Sequence, residues 1–112
     1  MLFTQKSEVD IHEMSPLALA FVGDAVLELL VRARLVGTTR LQPNRLHTVA
    51  THYVSAHAQN LELDIIEPML TDAEAAVLRR GKNASKATVA KHATVQEYRA
   101  STGFECLLGW LY

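Results

Sequence analysis

The chain has 112 residues, which suits a single compact domain, and 49% of them are hydrophobic, so a packed core is expected rather than disorder. A formal net charge of −1 excludes a uniformly basic nucleic-acid coat, although a local basic patch is compatible with it. The single cysteine excludes an internal disulfide framework, and the lack of membrane-span and secretion-signal patterns predicts a cytoplasmic domain without membrane contact.

A first helix is predicted after Ser15, which can act as its N-cap, with Pro16 at the first helical position and Gly37 as its stop. Apolar residues between these signals keep helical spacing: Leu17, Phe21, Leu27, Leu30, Val31 and Leu35. Pro43 opens a second helical stretch, which loses its pattern in a mixed segment over 60–68.

Two capping boxes predict two further helices. Thr71 and Glu74 have the required spacing, and Thr94 and Glu97 repeat it. In a capping box the hydroxyl and the carboxylate each accept a hydrogen bond from a backbone N–H that the helix leaves unpaired. Each Thr therefore marks the start of a helix.

The helix that begins after Thr71 should end near Arg80, where Gly81 can take the left-handed cap conformation. Residues 82–93 are small, polar and basic without apolar periodicity, which predicts a loop. The sequence therefore indicates an all-α domain of four or five helices over 15–112, preceded by an N-terminal extension over 1–14.

Two acids stand alone in segments that otherwise look buried. Asp24 is the only charged residue within 14–27, and Glu105 is the only one within 100–112. Glycines lie beside both, although Gly costs a helix about 1 kcal/mol relative to Ala. Such breaks of local rules are frequent at functional sites. Either each acid is paired with a group within the fold, for example Arg99, or the two acids together bind one hard cation.

Mg²⁺ suits a pair of carboxylates, because it takes one or two of them and keeps several waters. Such an ion can activate water for in-line attack on a phosphodiester. Glu28 lies four residues after Asp24 on the same helical face. It is therefore either an outer-shell acid of the site or an ion-pair partner of Arg32.

The residues around both acids resemble the ribonuclease III family. The run LAFVGDAVL over 19–27 resembles its signature helix, and ECLLG over 105–109 resembles its second acidic motif. Segments 53–56, 77–84 and 98–105 are similar to the bacterial Mini-III branch, which has the catalytic domain without a separate double-stranded-RNA-binding domain. This resemblance implies the helical fold of the ribonuclease III endonuclease domain.

The resemblance also implies the activity and its participants. It implies a Mg²⁺-dependent homodimeric endoribonuclease, in which Mn²⁺ can substitute, with Asp24 and Glu105 as catalytic and metal-binding residues. The expected substrate is double-stranded RNA, in particular large-subunit ribosomal RNA precursor, cut to leave 5′-phosphate and 3′-hydroxyl ends. Ala20 and Thr102 occupy positions where larger members carry further acids. That loss keeps open an alternative, a non-catalytic RNA-binding or ribosome-associated module.

Charge is segregated along the chain. Five acids fall within 62–74, whereas 75–96 contains none. Basic side chains on a flexible loop suit contact with phosphates. The predicted RNA-binding residues are Arg79, Arg80, Lys82, Asn83, Ser85, Lys86 and Lys91. The alternative is a solvated surface loop of ordinary composition.

Other chemistry-bearing residues have simpler interpretations. His47, His52 and His57 are spaced by five residues, so their rings point in different directions and make a poor zinc site. Cys106 is expected to be a small buried hydrophobic residue. The aromatic and aliphatic residues near the C-terminus are expected in the core or at a dimer interface: Phe104, Leu107 and Trp110.

Overall fold

Five α-helices make up most of the computed structural model, which describes residues 7–85 and 94–112. The helices are α1 Pro16–Thr38, α2 Pro43–Tyr53, α3 Ala56–Ile66, α4 Asp72–Ala84 and α5 Val95–Leu111. Short 3₁₀ turns lie at Ile11–Glu13 and Glu67–Met69. Within the described ranges there is no strand, and no helix is long and apolar enough to cross a membrane. The all-α prediction is confirmed.

The predicted helix starts form through the predicted side chains. Ser15 Oγ accepts a hydrogen bond of 3.0 Å from the amide three residues later. Thr71 Oγ1 accepts from the Glu74 amide at 3.2 Å, and Glu74 Oε1 accepts from the Thr71 amide at 2.8 Å. Thr94 and Glu97 make the same reciprocal pair at 3.1 and 3.0 Å. Both capping boxes are confirmed.

The segment 60–68 is regular rather than mixed, so that prediction was wrong. It belongs to α3, which begins after Ser55, and to the 3₁₀ turn that follows. Ser55 Oγ accepts a 3.1 Å hydrogen bond from the Ala58 amide. This N-cap is a local signal of the kind that identified the other helix starts.

The two glycines predicted as C-caps, Gly37 and Gly81, do not adopt the left-handed cap conformation. Both lie in the described ranges, and neither has a positive φ. Helix α1 runs one residue beyond Gly37, and its end is held by Thr39, whose N–H and hydroxyl both donate to the Leu35 carbonyl. Helix α4 continues through Gly81 to Ala84, so the first part of the predicted loop is helical.

Helix α5 lies at the centre of the fold and packs against α1, α3 and α4. One core cluster joins it to α1 and α4: Leu19, Ala20, Val77, Cys106 and Leu107. A second joins it to α1, α3 and α4: Leu27, Leu63, Leu78, Ala100 and Phe104. Trp110 is half-buried against the first cluster. Cys106 is buried as predicted, and Phe104 and Leu107 lie in the core, one of the two locations expected for them.

Glycines allow the helices around α5 to touch through their backbones. A Cβ at Gly23 would lie 1.6 Å from the Glu105 carbonyl oxygen, and one at Gly109 would lie 1.9 Å from the Leu19 carbonyl oxygen. A Cβ at Gly81 would lie 2.8 Å from the Cα of Gly103. Gly81 is therefore a packing residue between α4 and α5 rather than a cap.

We expect Gly23→Ala to lower the free energy of unfolding by about 2–3 kcal/mol or more, because α1 and α5 must separate to admit the methyl group. Gly37→Ala is the matched control. A Cβ there meets nothing within 4 Å, so the change should be neutral or stabilise by up to about 1 kcal/mol. Urea denaturation followed by circular dichroism measures both. A Gly23→Ala protein as stable as the wild type would contradict this packing.

Candidate active site

The two isolated acids come together where α1 meets α5. Asp24 follows Gly23, whose backbone lies against the backbone of Glu105. The Asp24 carboxyl interacts with the Glu105 carboxyl through both a hydrogen bond and its charge. Asp24 is exposed and Glu105 is half-buried, so the pair opens to solvent on the Asp24 side. The close helix contact thus brings the two acids predicted from the sequence into one site.

This arrangement holds a proton on Glu105. Burial, together with the hydrogen bond and the charge of Asp24, raises the pKa of Glu105 to about 8. Two neighbouring carboxylates in a partly desolvated site cannot both ionise easily. At neutral pH and without a cation, Glu105 is therefore mainly protonated.

The pair has the chemistry that a hard divalent cation requires. It offers carboxylate oxygens, one from an exposed and one from a half-buried residue, and a bound cation would favour the ionised form of both. Among the described residues, no group of three or more His, Cys, Asp or Glu side chains could hold a metal. The two acids therefore fit an ion that takes its remaining ligands from water or substrate.

Buried residues occupy the two positions where larger ribonuclease III enzymes are expected to carry further acids. Ala20 is buried in the core. Thr102 is also buried, and its hydroxyl lies 3.1 Å from the Tyr98 carbonyl oxygen and 3.4 Å from Ser85 Oγ. Since a hydroxyl has one proton to donate, Thr102 can donate to Tyr98 and accept from Ser85.

Two charged residues considered for the site are engaged elsewhere. Glu28 Oε2 pairs with Arg32 Nε at 3.0 Å, so the ion-pair interpretation is the one observed, and these contacts do not support an outer-shell role. Arg99 Nε donates to the Lys82 carbonyl oxygen at 3.1 Å, and its terminal nitrogen donates to Asn83 Oδ1 at 3.3 Å. The suggestion that Arg99 satisfies one of the two acids was therefore wrong.

The predicted RNA-binding residues cluster at the end of α4. Arg79 and Arg80 are exposed, and Lys82 Nζ lies 3.5 Å from Glu67 Oε1 in an ion pair. Lys82 and Asn83 lie in the last turns of α4 rather than in a loop, and Ser85 is the residue at its C-cap. The remaining two predicted residues, Lys86 and Lys91, lie outside the described residues.

A cleft of about 580 Å³ lies beside this end of α4. Its polar lining is Arg79, Lys82, Asn83, Gln96 and Arg99 from α4 and α5, with Asn60, Asp64 and Glu67 on the side of α3. The cleft is therefore basic on one wall and acidic on the other. Sequence reasoning did not place Arg99 on this surface, because its contacts are made across two helices.

One histidine contacts an acid on another helix. His57 Nδ1 contacts Glu97 Oε2, which links the start of α3 to the start of α5. The backbone hydrogen bond from Thr94 and then the hydrogen bond with His57 lower the pKa of Glu97. This pair stabilises the N-terminus of α5 and belongs to the scaffold of the site.

Comparisons with known proteins agree with this geometry. The profile of the Ribonuclease III domain matches residues 17–112. The Mini-ribonuclease 3 of Enterococcus faecalis is 46% identical over 92% of this chain and 80% of that protein. The Mini-ribonuclease 3 of Staphylococcus aureus is 44% identical over 88% and 75%. The crystal structure of a Fusobacterium nucleatum protein superposes with a TM-score of 0.83 at 31% identity, covering 92% of this chain and 82% of that one.

The raised pKa of Glu105 predicts how stability depends on pH. Between its unfolded value near 4.5 and about 8, the folded chain keeps a proton that the unfolded chain has released. This group's contribution to stability is therefore complete below about pH 4.5 and is lost as the pH rises to about 8.

We expect Glu105→Gln to match the wild type near pH 5 and to exceed its stability at pH 8, without divalent ions, by on the order of 2 kcal/mol after allowing for partial exposure. Urea denaturation at both pH values in EDTA provides the measurement. Glu13→Gln, an exposed acid outside the α1–α5 contact, controls for the general loss of negative charge. An equal effect of Glu105→Gln at both pH values would count against the shared proton.

Proposed function

The chain belongs to the ribonuclease III family and is an endoribonuclease of that type, and we propose that Asp24 and Glu105 are its catalytic pair. Enzymes of this type act on double-stranded RNA. The observation that carries the proposal is that these two acids, each isolated in an apolar stretch, interact at the α1–α5 contact. Their oxygens can hold a cation beside a phosphodiester.

Members of the family depend on a divalent metal. We infer that the ion is Mg²⁺, with Mn²⁺ as a substitute, held by Asp24 and Glu105. When bound, such an ion supplies positive charge to the scissile phosphate and to the attacking water. A cation held there would favour the ionised form of Glu105, because its positive charge would offset the repulsion by Asp24. The exposed Asp24 carboxylate faces the side from which RNA can approach.

The products expected from this chemistry are 5′-phosphate and 3′-hydroxyl ends. Attack of water on the phosphorus from the side opposite the 3′ oxygen breaks the bond to that oxygen. The phosphate then stays on the 5′ end of the downstream fragment.

The RNA surface is proposed at the end of α4. Arg79, Arg80, Lys82 and Asn83 present basic and amide groups there. Lys86 and Lys91, which lie outside the described residues, stay predicted RNA contacts. The ion pair between Lys82 and Glu67 is partly exposed, and such pairs contribute about 0–1 kcal/mol, so a phosphate can replace Glu67. Duplex RNA is recognised largely through phosphates and 2′-hydroxyls, which such donors suit.

The substrate proposed within double-stranded RNA is the precursor of large-subunit ribosomal RNA. This follows from the resemblance to the Mini-III branch. The alternative, a non-catalytic RNA-binding module, draws on Ala20 and Thr102, which offer no third or fourth acid. Mg²⁺ needs only one or two carboxylates, so the remaining pair is sufficient.

We expect Asp24→Asn and Glu105→Gln each to reduce cleavage by at least about a hundredfold, because each removes charge from the cation site. The assay follows an end-labelled duplex and a precursor stem of large-subunit ribosomal RNA, with Mg²⁺ and with EDTA, beside duplex binding. Glu13→Gln is the control and should cleave normally. Substantial cleavage by either site variant would refute the catalytic pair. A wild-type protein that binds duplex but leaves it intact with Mg²⁺ would favour the non-catalytic module.

A homodimer is proposed from exposed apolar residues of α1. Phe21 is 83% exposed, and five further large apolar residues of α1 are also exposed: Leu17, Val22, Leu29, Leu30 and Val36. A large exposed apolar patch commonly marks a protein interface. In a symmetric dimer the same patch faces its own copy. Phe21 lies three residues before Asp24, so this interface would border the catalytic pair on each subunit.

We expect Phe21→Asp to convert the dimer to a monomer, because an unpaired carboxylate would have to be buried in the interface. Ile65→Asp is the matched control, since Ile65 is 71% exposed on α3, outside the proposed interface. Analytical ultracentrifugation at micromolar concentration distinguishes the two states. A monomeric wild type, or a Phe21→Asp protein that remains dimeric, would exclude this interface.

A further inference from the structure

Arg99 holds the end of α4 against α5. Its Nε donates to the Lys82 carbonyl oxygen, one of the last four carbonyls of α4, which have no partner within the helix. A cation at this end of a helix also interacts favourably with the helix dipole. The side chain of Lys82 crosses α5 at Gly103, where an added Cβ would lie 2.7 Å from Lys82 Cγ. The last turn of α4 is thus fixed from α5 by two independent contacts.

The second hydrogen bond of Arg99 sets the orientation of the Asn83 amide. An amide has an acceptor at its oxygen and two donors at its nitrogen, whereas a guanidinium has donors only. The oxygen of Asn83 must therefore face Arg99, as it does at 3.3 Å. The amide nitrogen then directs its two N–H groups away from Arg99. Since Asn83 is exposed, these donors point to where a phosphate or a 2′-hydroxyl can accept them.

Helix α5 also connects Arg99 to the catalytic pair. Arg99, Thr102 and Glu105 follow one another at intervals of three residues, and side chains at this spacing are neighbours on a helix. Thr102 contacts Ser85 at the C-cap of α4, one turn from Glu105. The position of Asn83 relative to Glu105 is therefore determined by α5 itself.

We propose that Arg99 is a positioning residue for duplex RNA: it orients Asn83, and the turn of α4 that carries it, at a fixed distance from the Asp24–Glu105 pair. This inference rests on the proposed function, in particular on the RNA surface at the end of α4. Its substrate contact is made by the Asn83 amide, and Arg99 acts through that amide rather than on the phosphate directly.

The test is a mutant cycle on cleavage of a defined RNA duplex by the full chain with Mg²⁺. Arg99→Gln and Asn83→Ala should each raise KM about fivefold while kcat stays within about twofold. The double variant should be no worse than Asn83→Ala, because Arg99 acts through Asn83. Arg99→Lys, which keeps the charge and can make one of the two hydrogen bonds, should have an intermediate KM. Arg45→Gln, an exposed arginine of α2, controls for the loss of a positive charge.

Salt dependence separates positioning from direct contact. If Arg99 only positions Asn83, the slope of log KM against log salt concentration should be the same in Arg99→Gln as in the wild type. A slope smaller by about one would mean that Arg99 itself neutralises a phosphate, and this would overturn the inference. Additive effects of the two substitutions would also overturn it. So would an Arg99→Gln protein with a lower melting temperature but a wild-type KM at temperatures where it is folded.

The failures of the inference and of the proposed function are distinguishable. An unchanged KM in Asn83→Ala overturns both the RNA surface and the role of Arg99. A raised KM in Asn83→Ala with an unchanged KM in Arg99→Gln overturns the role of Arg99 alone. Cleavage that survives Asp24→Asn would refute the catalytic pair. The proposal that Arg99 fixes the distance between Asn83 and that pair would then fail as well.

Discussion

The direct contact between the backbones of α1 and α5 is the constraint on which the rest of the structure depends. A helix pair normally keeps its axes 8–10 Å apart because side chains intervene. Here Gly23 and Gly109 leave the facing carbonyls of Glu105 and Leu19 no room for even a methyl group. Since Asp24 is the next residue after Gly23, the contact that packs the core also brings the two carboxyl groups together. Fold and site therefore share one set of residues.

Helix α5 serves three purposes through different faces. One face packs through Ala100 and Phe104 into the second core cluster. A second carries Glu105 and Gly109 against α1. A third carries Arg99 and Gly103 against α4. A residue placed on this helix is consequently fixed relative to the core, the acids and the basic surface at the same time.

What could be predicted from the sequence was local or chemically unusual. Capping boxes involve residues three apart, so Thr71 and Thr94 identified their helices without knowledge of the fold. Asp24 and Glu105 were conspicuous because a charge in an apolar stretch needs an explanation wherever the chain goes. Their proximity is now observed, whereas their catalytic role remains a prediction.

What could not be predicted depends on partners distant in the sequence. A glycine after a helical pattern suggests a cap, and only the backbone of Gly103 against Gly81 shows that close packing is its function. Arg99 is similar, because its acceptors at Lys82 and Asn83 lie on another helix. The N-cap at Ser55 is a local signal. It was not recognised as the start of α3 because the apolar residues that follow it are irregularly spaced.

The proton held on Glu105 has a consequence for the conditions under which the enzyme is loaded. A cation held by the proposed pair would displace that proton, so the two would compete for the same oxygens. At this proposed site, acidification below about pH 8 would therefore weaken the apparent affinity for the cation. The half-buried carboxyl would thereby make occupancy of the proposed site depend on pH as well as on ion supply.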